Sequence, residues 1–341
     1  MMEKSEIIVN NVLLKPVIEK LLDKENVKIS SFDKYEYQSG TLGEVFLFSG
    51  ECLSTNEVIG WEVVLKVQNK WNRFGDPESW LREKNIYESN ILDELPSNLK
   101  VPKCIKIEEK DNRIWLWIEK AVGNHDSNLK LEEYGLIARS IGDFQHRFVD
   151  NTPLYSWLSS KYWIVKNTNI WCGDAISWLL DESKKDNSIL SRNCIKTLLN
   201  VWSKKDEYTD FLLNMPKTLC HRDLTPGNVF VSDDNVTVID WDCLGTGFVG
   251  EDIVDLFAES LVFYNFDINK ANDLKEVLIN NYYSGMKESG VELNRIEIAF
   301  NLYLVLNWSY RIICRFKHSD EETISRYTKI LEYITDTLNK N

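Results

Sequence analysis

The sequence lacks an uninterrupted apolar run of about 18 residues, the length that a membrane-spanning helix requires. Its first 22 residues mix acids and amides into the apolar positions, so they also lack the apolar centre of a secretory signal. These absences predict a cytoplasmic protein with no membrane partner.

Paired cysteines are missing as well, because the seven cysteines are scattered and none forms a CxxC pair. An odd number without close spacing argues against a disulfide framework or a zinc cluster. We therefore expect reduced thiols, most of them buried.

Positive charge is in deficit, since the net charge is −13. A nucleic acid needs a basic surface, so we expect no nucleic-acid partner. An acidic chain attracts cationic ligands, although charge of this kind can also serve solubility alone.

The pattern of apolar residues changes along the chain. Residues 5–28 carry apolar residues at roughly helical spacing, which predicts an N-terminal helix that Pro16 could divide. Residues 35–119 then predict a small sheet with one helix that opens at Asp76 and Pro77. Helical patterns dominate after a linker at 119–124, so we predict an α+β protein with domains at 1–120 and 121–341.

The stretch LCHRDLTPGNVFV, residues 219–231, gathers polar side chains that would cost free energy if buried without partners. Asp223 could accept the proton of a hydroxyl group, and Asn228 offers an amide oxygen of the kind that suits Mg²⁺. His221 is expected to brace the loop. An Asx-rich turn held by local hydrogen bonds is the alternative, but the spacing HxDxxxxN favours phosphoryl transfer.

A second acid follows on the next predicted strand. The apolar run 236–239 carries Asp240 to the strand end, and a hairpin with its turn at 233–235 would return it to Asn228. The two side chains could then share Mg²⁺. Alone, Asp240 would also fit a strand-end turn, and Asp242 is either a further ligand or a solvated acid.

A lone lysine, Lys66, lies inside the apolar strand WEVVLKVQ, where an unpaired lysine is rare. Glu83 on the following helix is the expected partner, with Glu88 as a rival, and such a pair could hold phosphate groups. A solvent-facing lysine on an edge strand is the alternative. Gly40 and Gly43 could cover phosphates with their amides or form a plain hairpin turn.

The order of these pieces, from glycine turn to strand Lys, helix Glu, HxDxxxxN and strand-end Asp, is that of the protein-kinase fold. The chain resembles the aminoglycoside phosphotransferase family of small-molecule kinases, which includes choline and homoserine kinases, over about residues 30–335. The likeness is sharpest at 221–242 and in GEDIVDLF, 250–257. It implies a bilobal protein-kinase-like fold, with a small antiparallel-sheet N-lobe carrying one helix and a larger, mainly helical C-lobe.

The resemblance also implies roles for single residues. Asp223 would be the catalytic base, Asn228 and Asp240 would bind Mg²⁺, and Asp255 would brace the catalytic loop. The expected ligand is ATP or GTP, and the residues expected to bind it are Lys66, Glu83, Gly40, Gly43, Glu119 and Ala121, with 119–122 as the hinge that meets adenine.

The acceptor is expected to be a small hydroxyl compound. DWD replaces DFG, no APE follows, and Thr225 stands where protein kinases usually carry Lys, so a peptide-docking platform is not expected. Acidic composition and abundant Trp favour a cationic acceptor, such as an aminoglycoside-type antibiotic or an amino alcohol. Its candidate contacts are Trp163, Trp171, Trp178, Trp308, Tyr310, Glu251, Asp252 and Glu259, against the alternatives of core packing and an acidic helix start.

A different class of function stays open, that of a non-catalytic kinase-fold protein that binds nucleotide and regulates a partner. Such a protein is expected to have lost one of Asp223, Asn228, Asp240 or Lys66. All four are present, which favours catalysis.

Overall fold

The computed structural model describes residues 7–37, 43–55, 57–70, 79–110, 112–159 and 163–339. The chain divides into two compact units, one of residues 1–92 and 101–122 and one of residues 93–100 and 123–341. The second unit includes residues 93–100, which the sequence analysis placed in the first domain. No helix in the described ranges is both long enough and apolar enough to cross a membrane.

The first unit is built on an antiparallel sheet. Its helices and strands are α1 (Asn11–Leu22), β1 (Lys28–Tyr37), β2 (Gly43–Ser54), β3 (Glu57–Asn69), α2 (Ser79–Glu88), β5 (Cys104–Lys110) and β6 (Arg113–Glu119), while β4 (Leu99–Lys100) lies in the second unit. The five strands of the sheet follow the order β1-β2-β3-β6-β5.

The two faces of this sheet are covered differently. Alternate residues of β3, such as Val63 and Leu65, belong to the apolar cluster that α1 covers. Residues of the opposite face, such as Leu116 of β6 and Val64, pack with α2. Because side chains alternate along a strand, this arrangement puts Lys66 on the α2 face of the central strand.

The N-terminal helix is shorter than the predicted 5–28. It begins after Asn10, whose side chain accepts hydrogen bonds from the N–H groups of Val12 and Leu13. It ends at Asp23, which adopts the left-handed conformation with φ 50°. Pro16 lies inside the helix and does not divide it.

The second unit is mainly helical. Its helices are α3 (Leu131–Gln145), α4 (Trp163–Glu182), α5 (Arg192–Ser203), α6 (Lys205–Leu213), α7 (Glu251–Val262), α8 (Ala271–Gly285), α9 (Leu293–Tyr303), α10 (Tyr310–Arg315) and α11 (Glu321–Asn339). A π-helical segment, Leu304–Ser309, joins α9 to α10.

Short strands in the second unit position the polar loop. Strand β7 (Lys217–Cys220) pairs with β10 (Gly245–Phe248), and β8 (Val229–Ser232) pairs with β9 (Asn235–Val238) as the predicted hairpin. Strand β4 runs parallel to β9 on its other side. The antiparallel five-stranded sheet and the mainly helical second unit confirm the α+β prediction.

Candidate active site

The loop from His221 to Asn228 connects β7 to β8, and the imidazole of His221 holds it in place. Nε2 of His221 lies 3.0 Å from the carbonyl oxygen of Ile239, just past the end of β9. The backbone N–H of Asp223 is directed at Nδ1 of the same ring, with an N···N distance of 3.3 Å. These contacts fit the tautomer with the proton on Nε2, and they confirm that His221 braces the loop.

Asp223 and Asn228 are bonded to each other. The side-chain amide nitrogen of Asn228 donates to the carbonyl oxygen of Asp223 at 2.9 Å and to its Oδ2 at 3.1 Å. Both side chains are half-buried. Since the amide nitrogen faces Asp223, the atom of Asn228 that can bind a cation is Oδ1.

Asn228 is also joined to the strand that carries Asp240. The N–H of Ile239 donates to the carbonyl oxygen of Asn228 at 3.0 Å, and Val229 pairs with Val238. The hairpin therefore brings the backbone next to Asp240 against Asn228, as the sequence predicted.

Arg222 and Asp240 both have the left-handed backbone conformation, although neither is a glycine. The φ angle is 67° at Arg222 and 63° at Asp240. Such conformations are uncommon for residues with a Cβ and cluster at functional sites. Arg222 directly precedes Asp223, the predicted base, and Asp240 is itself a predicted Mg²⁺ ligand.

The brace beneath the loop is Asp252, and the prediction that Asp255 fills this role was wrong. Oδ2 of Asp252 accepts from the N–H of His221 at 2.8 Å, and Oδ1 accepts from the N–H of Arg222 at 2.7 Å. Asp255 instead accepts from Nε1 of Trp308 at 3.0 Å. Both acids follow Gly250 and lie on the same face of α7, and only the three-dimensional structure separates them.

Asp252 is fully buried, and burial raises the pKa of its carboxyl group against the lowering effects of His221 and of the backbone N–H of Arg222. Nε2 of Gln145 adds a third hydrogen bond, at 2.7 Å to Oδ2. The carboxyl group therefore accepts three hydrogen bonds from protein donors.

A buried ion pair stands next to this brace. Nε of Arg222 lies 3.2 Å from Oε1 of Glu251, with 0% and 4% of the two side chains exposed. Burial by itself lowers the pKa of Arg222, but the charge of Glu251 raises it above its usual value overall. Glu251 and Asp252, two of the acids considered for the acceptor, thus hold the loop from His221 to Asn228.

The Lys66–Glu83 pair forms in the first unit. Nζ of Lys66 lies 2.6 Å from Oε2 of Glu83, whose side chain is 2% exposed. The same oxygen accepts from Nε2 of Gln68 at 2.8 Å. Glu88, the rival, faces Lys84 at 3.6 Å. Because β3 is the central strand, Lys66 is not on a solvent-facing edge.

The other expected nucleotide contacts are placed as follows. Gly40 lies outside the described residues, and Gly43 begins β2 opposite Gln68, where a Cβ would lie 2.2 Å from the carbonyl oxygen of Val67. Close strand approach is thus one reason for this glycine. Glu119 exchanges hydrogen bonds with Lys103 at the end of β6, and Ala121 follows it, half-buried.

The aromatic residues considered for the acceptor differ in where the structure places them. The side chains of Trp163 and Trp171 lie outside the described residues. Tyr310 is buried and its hydroxyl donates to the carbonyl oxygen of Leu198 at 3.0 Å, which supports core packing. Trp178 packs edge-on against Phe316, while Trp308 is 1% exposed.

Asp242 is also buried, with 5% of its surface exposed, which rules out the solvated acid, one of the two alternatives for this residue. A 3₁₀ turn, Trp241–Cys243, carries it inward. The described residues hold no group of three or more His, Cys, Asp or Glu side chains arranged for a metal ion. The donor set that fits Mg²⁺ here is an amide oxygen and a carboxylate, which leaves coordination positions for phosphate oxygens and water.

Two residues beside the loop were missed in the sequence. A Cβ at Gly227 would lie 2.5 Å from the hydroxyl oxygen of Tyr264 and 3.0 Å from Oδ1 of Asp126. Both side chains therefore border the loop from His221 to Asn228, although they lie 37 positions after and 101 positions before Gly227. No local pattern signals contacts across such separations.

Residues 60–286, more than half of the chain, match the model of the phosphotransferase enzyme family. The chain belongs to this family. No curated protein matches this phosphotransferase in sequence.

Solved structures of similar fold share little of its sequence. The aminoglycoside phosphotransferase from Alicyclobacillus acidocaldarius has a TM-score of 0.62 at 12% identity, covering 99% of this chain and 98% of the other. The choline kinase from Cryptosporidium parvum has a TM-score of 0.60 at 12% identity, with 97% of each chain covered. An amicoumacin kinase in complex with AMP-PNP, Ca²⁺ and Ami has a TM-score of 0.53 at 15% identity, covering 92% and 89%. These likenesses establish a kinase-like fold for this phosphotransferase, as predicted.

Proposed function

We propose that this phosphotransferase moves the γ-phosphate of ATP to a hydroxyl group of a small molecule, with Mg²⁺ as cofactor. The observation that carries the proposal is the bonded pair of Asp223 and Asn228. The loop that holds this pair is fixed from below by Asp252 and tied to the strand end at Asp240. Phosphoryl transfer depends mainly on positioning and charge stabilisation, which such a fixed set of oxygen ligands can supply.

Asp223 is the base in this proposal. Its carboxylate would orient the acceptor hydroxyl and take its proton as the oxygen bonds to the γ-phosphorus and the bond to the ADP oxygen breaks. The hydrogen bond from Asn228 to Oδ2 fixes the orientation of the carboxylate.

Asn228 and Asp240 are proposed to hold Mg²⁺. The ion would neutralise charge on the nucleotide phosphates when it is bound. The two residues offer hard oxygen ligands, the kind that this cation prefers.

Lys66, positioned by Glu83, is proposed to bind the phosphates of the nucleotide, and the residues Glu119–Val122 to meet adenine. A half-buried ammonium group held by a buried carboxylate loses little side-chain entropy when phosphate binds. The nucleotide in this proposal is ATP or GTP. The backbone amides of Gly40 and Gly43 are proposed to cover its phosphates.

The acceptor class within the proposal is an amine-bearing hydroxyl compound, such as an aminoglycoside-type antibiotic or an amino alcohol. The net charge of −13 favours its approach. All seven cysteines have free thiols, which fits a reducing compartment such as the cytoplasm.

The second candidate is a regulatory protein that binds nucleotide without turnover. ADP release from Mg·ATP, measured against a panel of aminoglycosides, macrolides, choline, homoserine and sugars, separates the two. We expect at least one acceptor to raise ADP release in wild type and not in Asp223→Asn. Tight Mg·ATP binding with no acceptor-dependent release across the panel would favour the regulatory protein.

A further inference from the structure

Two arginines of α10 are held over aromatic rings. Arg311 and Arg315 are one turn apart, so they share a face of the helix. The guanidinium carbon of Arg311 lies 4.4 Å from the ring centroid of Trp308, and that of Arg315 lies 4.5 Å from the centroid of Phe263. The hydrogen bond from Trp308 to Asp255 fixes the first of these rings.

The charges around this pair do not balance. Nη1 of Arg311 lies 3.8 Å from Oε1 of Glu259, and the charge of the same carboxyl group acts to raise the pKa of Arg315. Burial raises the pKa of Glu259 to about 7, so this acid carries only part of its charge near neutral pH. Burial and then repulsion from Arg311 lower the pKa of Arg315. Two half-buried cations thus share one partly charged acid.

Helix capping does not account for the pair. A third arginine, Arg326, donates from Nη2 to the carbonyl oxygen of Val262 at 2.6 Å, at the C-terminal end of α7. Within the described ranges, neither Arg311 nor Arg315 makes such a side-chain bond to a backbone oxygen. Arg311 instead faces Glu259, and the guanidinium group of Arg315 hydrogen-bonds with the side chain of Tyr327. Because a guanidinium group has five N–H donors, these contacts leave donors on both arginines for a ligand.

The same segment reaches the catalytic loop. Phe263, the ring beneath Arg315, is followed by Tyr264, whose hydroxyl borders Gly227 and hydrogen-bonds with the side chain of Thr225. Thr225 is two residues after Asp223. Adjacent residues therefore contact the arginine pair and the loop that we propose to meet the acceptor.

We propose that Arg311 and Arg315 form an oxyanion subsite that binds a carboxylate or phosphate group of the hydroxyl acceptor. The planar guanidinium group presents paired donors that match either oxyanion. This inference rests on the proposed function. It narrows the acceptor to compounds that carry an oxyanion besides the hydroxyl group, with an amine as a further group.

Direct anion binding tests the subsite without turnover. The melting temperature is measured at constant ionic strength with inorganic phosphate and, separately, with 4-hydroxybutyrate, each replacing chloride. We expect a saturable rise of about 2 °C or more in wild type that is lost in Arg311→Gln/Arg315→Gln. The matched control Lys196→Gln/Lys329→Gln removes two exposed charges of helices α5 and α11 and should keep the rise.

The two probes distinguish a phosphate group from a carboxylate group on the acceptor. A rise with phosphate alone indicates a phosphorylated acceptor, and a rise with 4-hydroxybutyrate alone indicates a hydroxy acid. No rise with either probe, or an equal rise in the arginine double variant, overturns the subsite. Arg311→Lys/Arg315→Lys, which keeps the charge without the paired donors, should show a reduced rise.

Failure of the subsite and failure of the proposed function give different results. For an acceptor that raises ADP release, the arginine double variant should raise its KM about tenfold or more with kcat within about threefold. An unchanged KM overturns the subsite and leaves the kinase proposal intact. The anion-dependent rise in melting temperature with no acceptor-dependent ADP release would remove the kinase proposal instead.

Discussion

Both carboxylate oxygens of Asp252 accept backbone N–H groups of the loop that carries Asp223, at 2.8 Å from His221 and 2.7 Å from Arg222. Two backbone N–H groups of this loop are thus satisfied by a residue 29 positions beyond Asp223. Asp252 is fully buried, so the loss of its carboxyl group would leave these donors inside the protein. These hydrogen bonds fix the position of the loop that carries Asp223, the proposed base.

We expect Asp252→Ala to destabilise the protein by about 2–4 kcal/mol, because it leaves two buried N–H groups without an acceptor. Urea unfolding measures the change, and kcat should fall with it. The matched control is Asp255→Asn, in which an amide oxygen can still accept the indole N–H of Trp308. Equal losses in both variants would contradict the role of Asp252 as the brace.

Substitution of the proposed base should separate chemistry from binding. We expect Asp223→Ala to lower turnover by roughly 10²–10⁴-fold, the usual cost of removing a general base. Mg·ATP binding, measured by calorimetry, should persist. Turnover that stays near the wild-type rate would remove Asp223 from the mechanism.

The Lys66–Glu83 pair gives a prediction in the first unit. We expect Lys66→Ala to lower kcat/KM for ATP by roughly 10²-fold, since a cation on the phosphates is lost. Lys84→Ala is the matched control, because Lys84 lies on the same helix and pairs with Glu88 and Glu109 rather than with Glu83. A comparable loss in the control would indicate damage to α2 rather than to nucleotide binding.

The buried pair of Arg222 and Glu251 should dominate a comparison of ion pairs. We expect Glu251→Ala to cost about 3–5 kcal/mol of unfolding free energy, because it removes the carboxylate that faces a fully buried guanidinium. Asp206→Ala, which breaks an exposed pair with Lys205, should cost less than about 1 kcal/mol. Similar costs at both sites would show that the hydrogen bonds of Arg222 to Ser159 are enough to stabilise the guanidinium group.

Glu259 should make stability depend on pH. Its folded-state pKa of about 7 exceeds the usual 4.5, so the native state binds the proton more tightly. This contribution to stability is fully present below pH 4.5 and is lost as the pH rises through about 7. Between pH 5 and 7.5, wild type should therefore lose up to about 3 kcal/mol relative to Glu259→Gln. An equal difference in unfolding free energy between wild type and Glu259→Gln at the two pH values would place the pKa of the Glu259 carboxyl group in its ordinary range.

The sequence predicted those features of the site that depend on local spacing. The pattern HxDxxxxN and the hairpin to Asp240 lie within 20 residues, so turn and strand signals sufficed. The partner of Lys66 was also predictable, because a buried lysine requires an acid and a single helix follows its strand. Here local propensity and tertiary structure agree.

Features set by long-range contacts were not predictable. Asp252 and Asp255 share a helix face, so periodicity could not tell which one meets the loop. Tyr264 contacts Gly227 across 37 positions, and burial of Asp242 depends on the packing of a single turn. The shortened N-terminal helix reflects the left-handed conformation of Asp23, which overrides the apolar spacing beyond it.

The most direct test of phosphoryl transfer follows the γ-phosphate by ³¹P NMR, with Mg·ATP and pooled hydroxyl compounds, in wild type and in Asp223→Asn. We predict that wild type converts the γ-phosphate signal into a new phosphomonoester resonance, and that the variant leaves ATP unchanged. Release of inorganic phosphate alone, or the same phosphomonoester from the variant, would contradict this prediction.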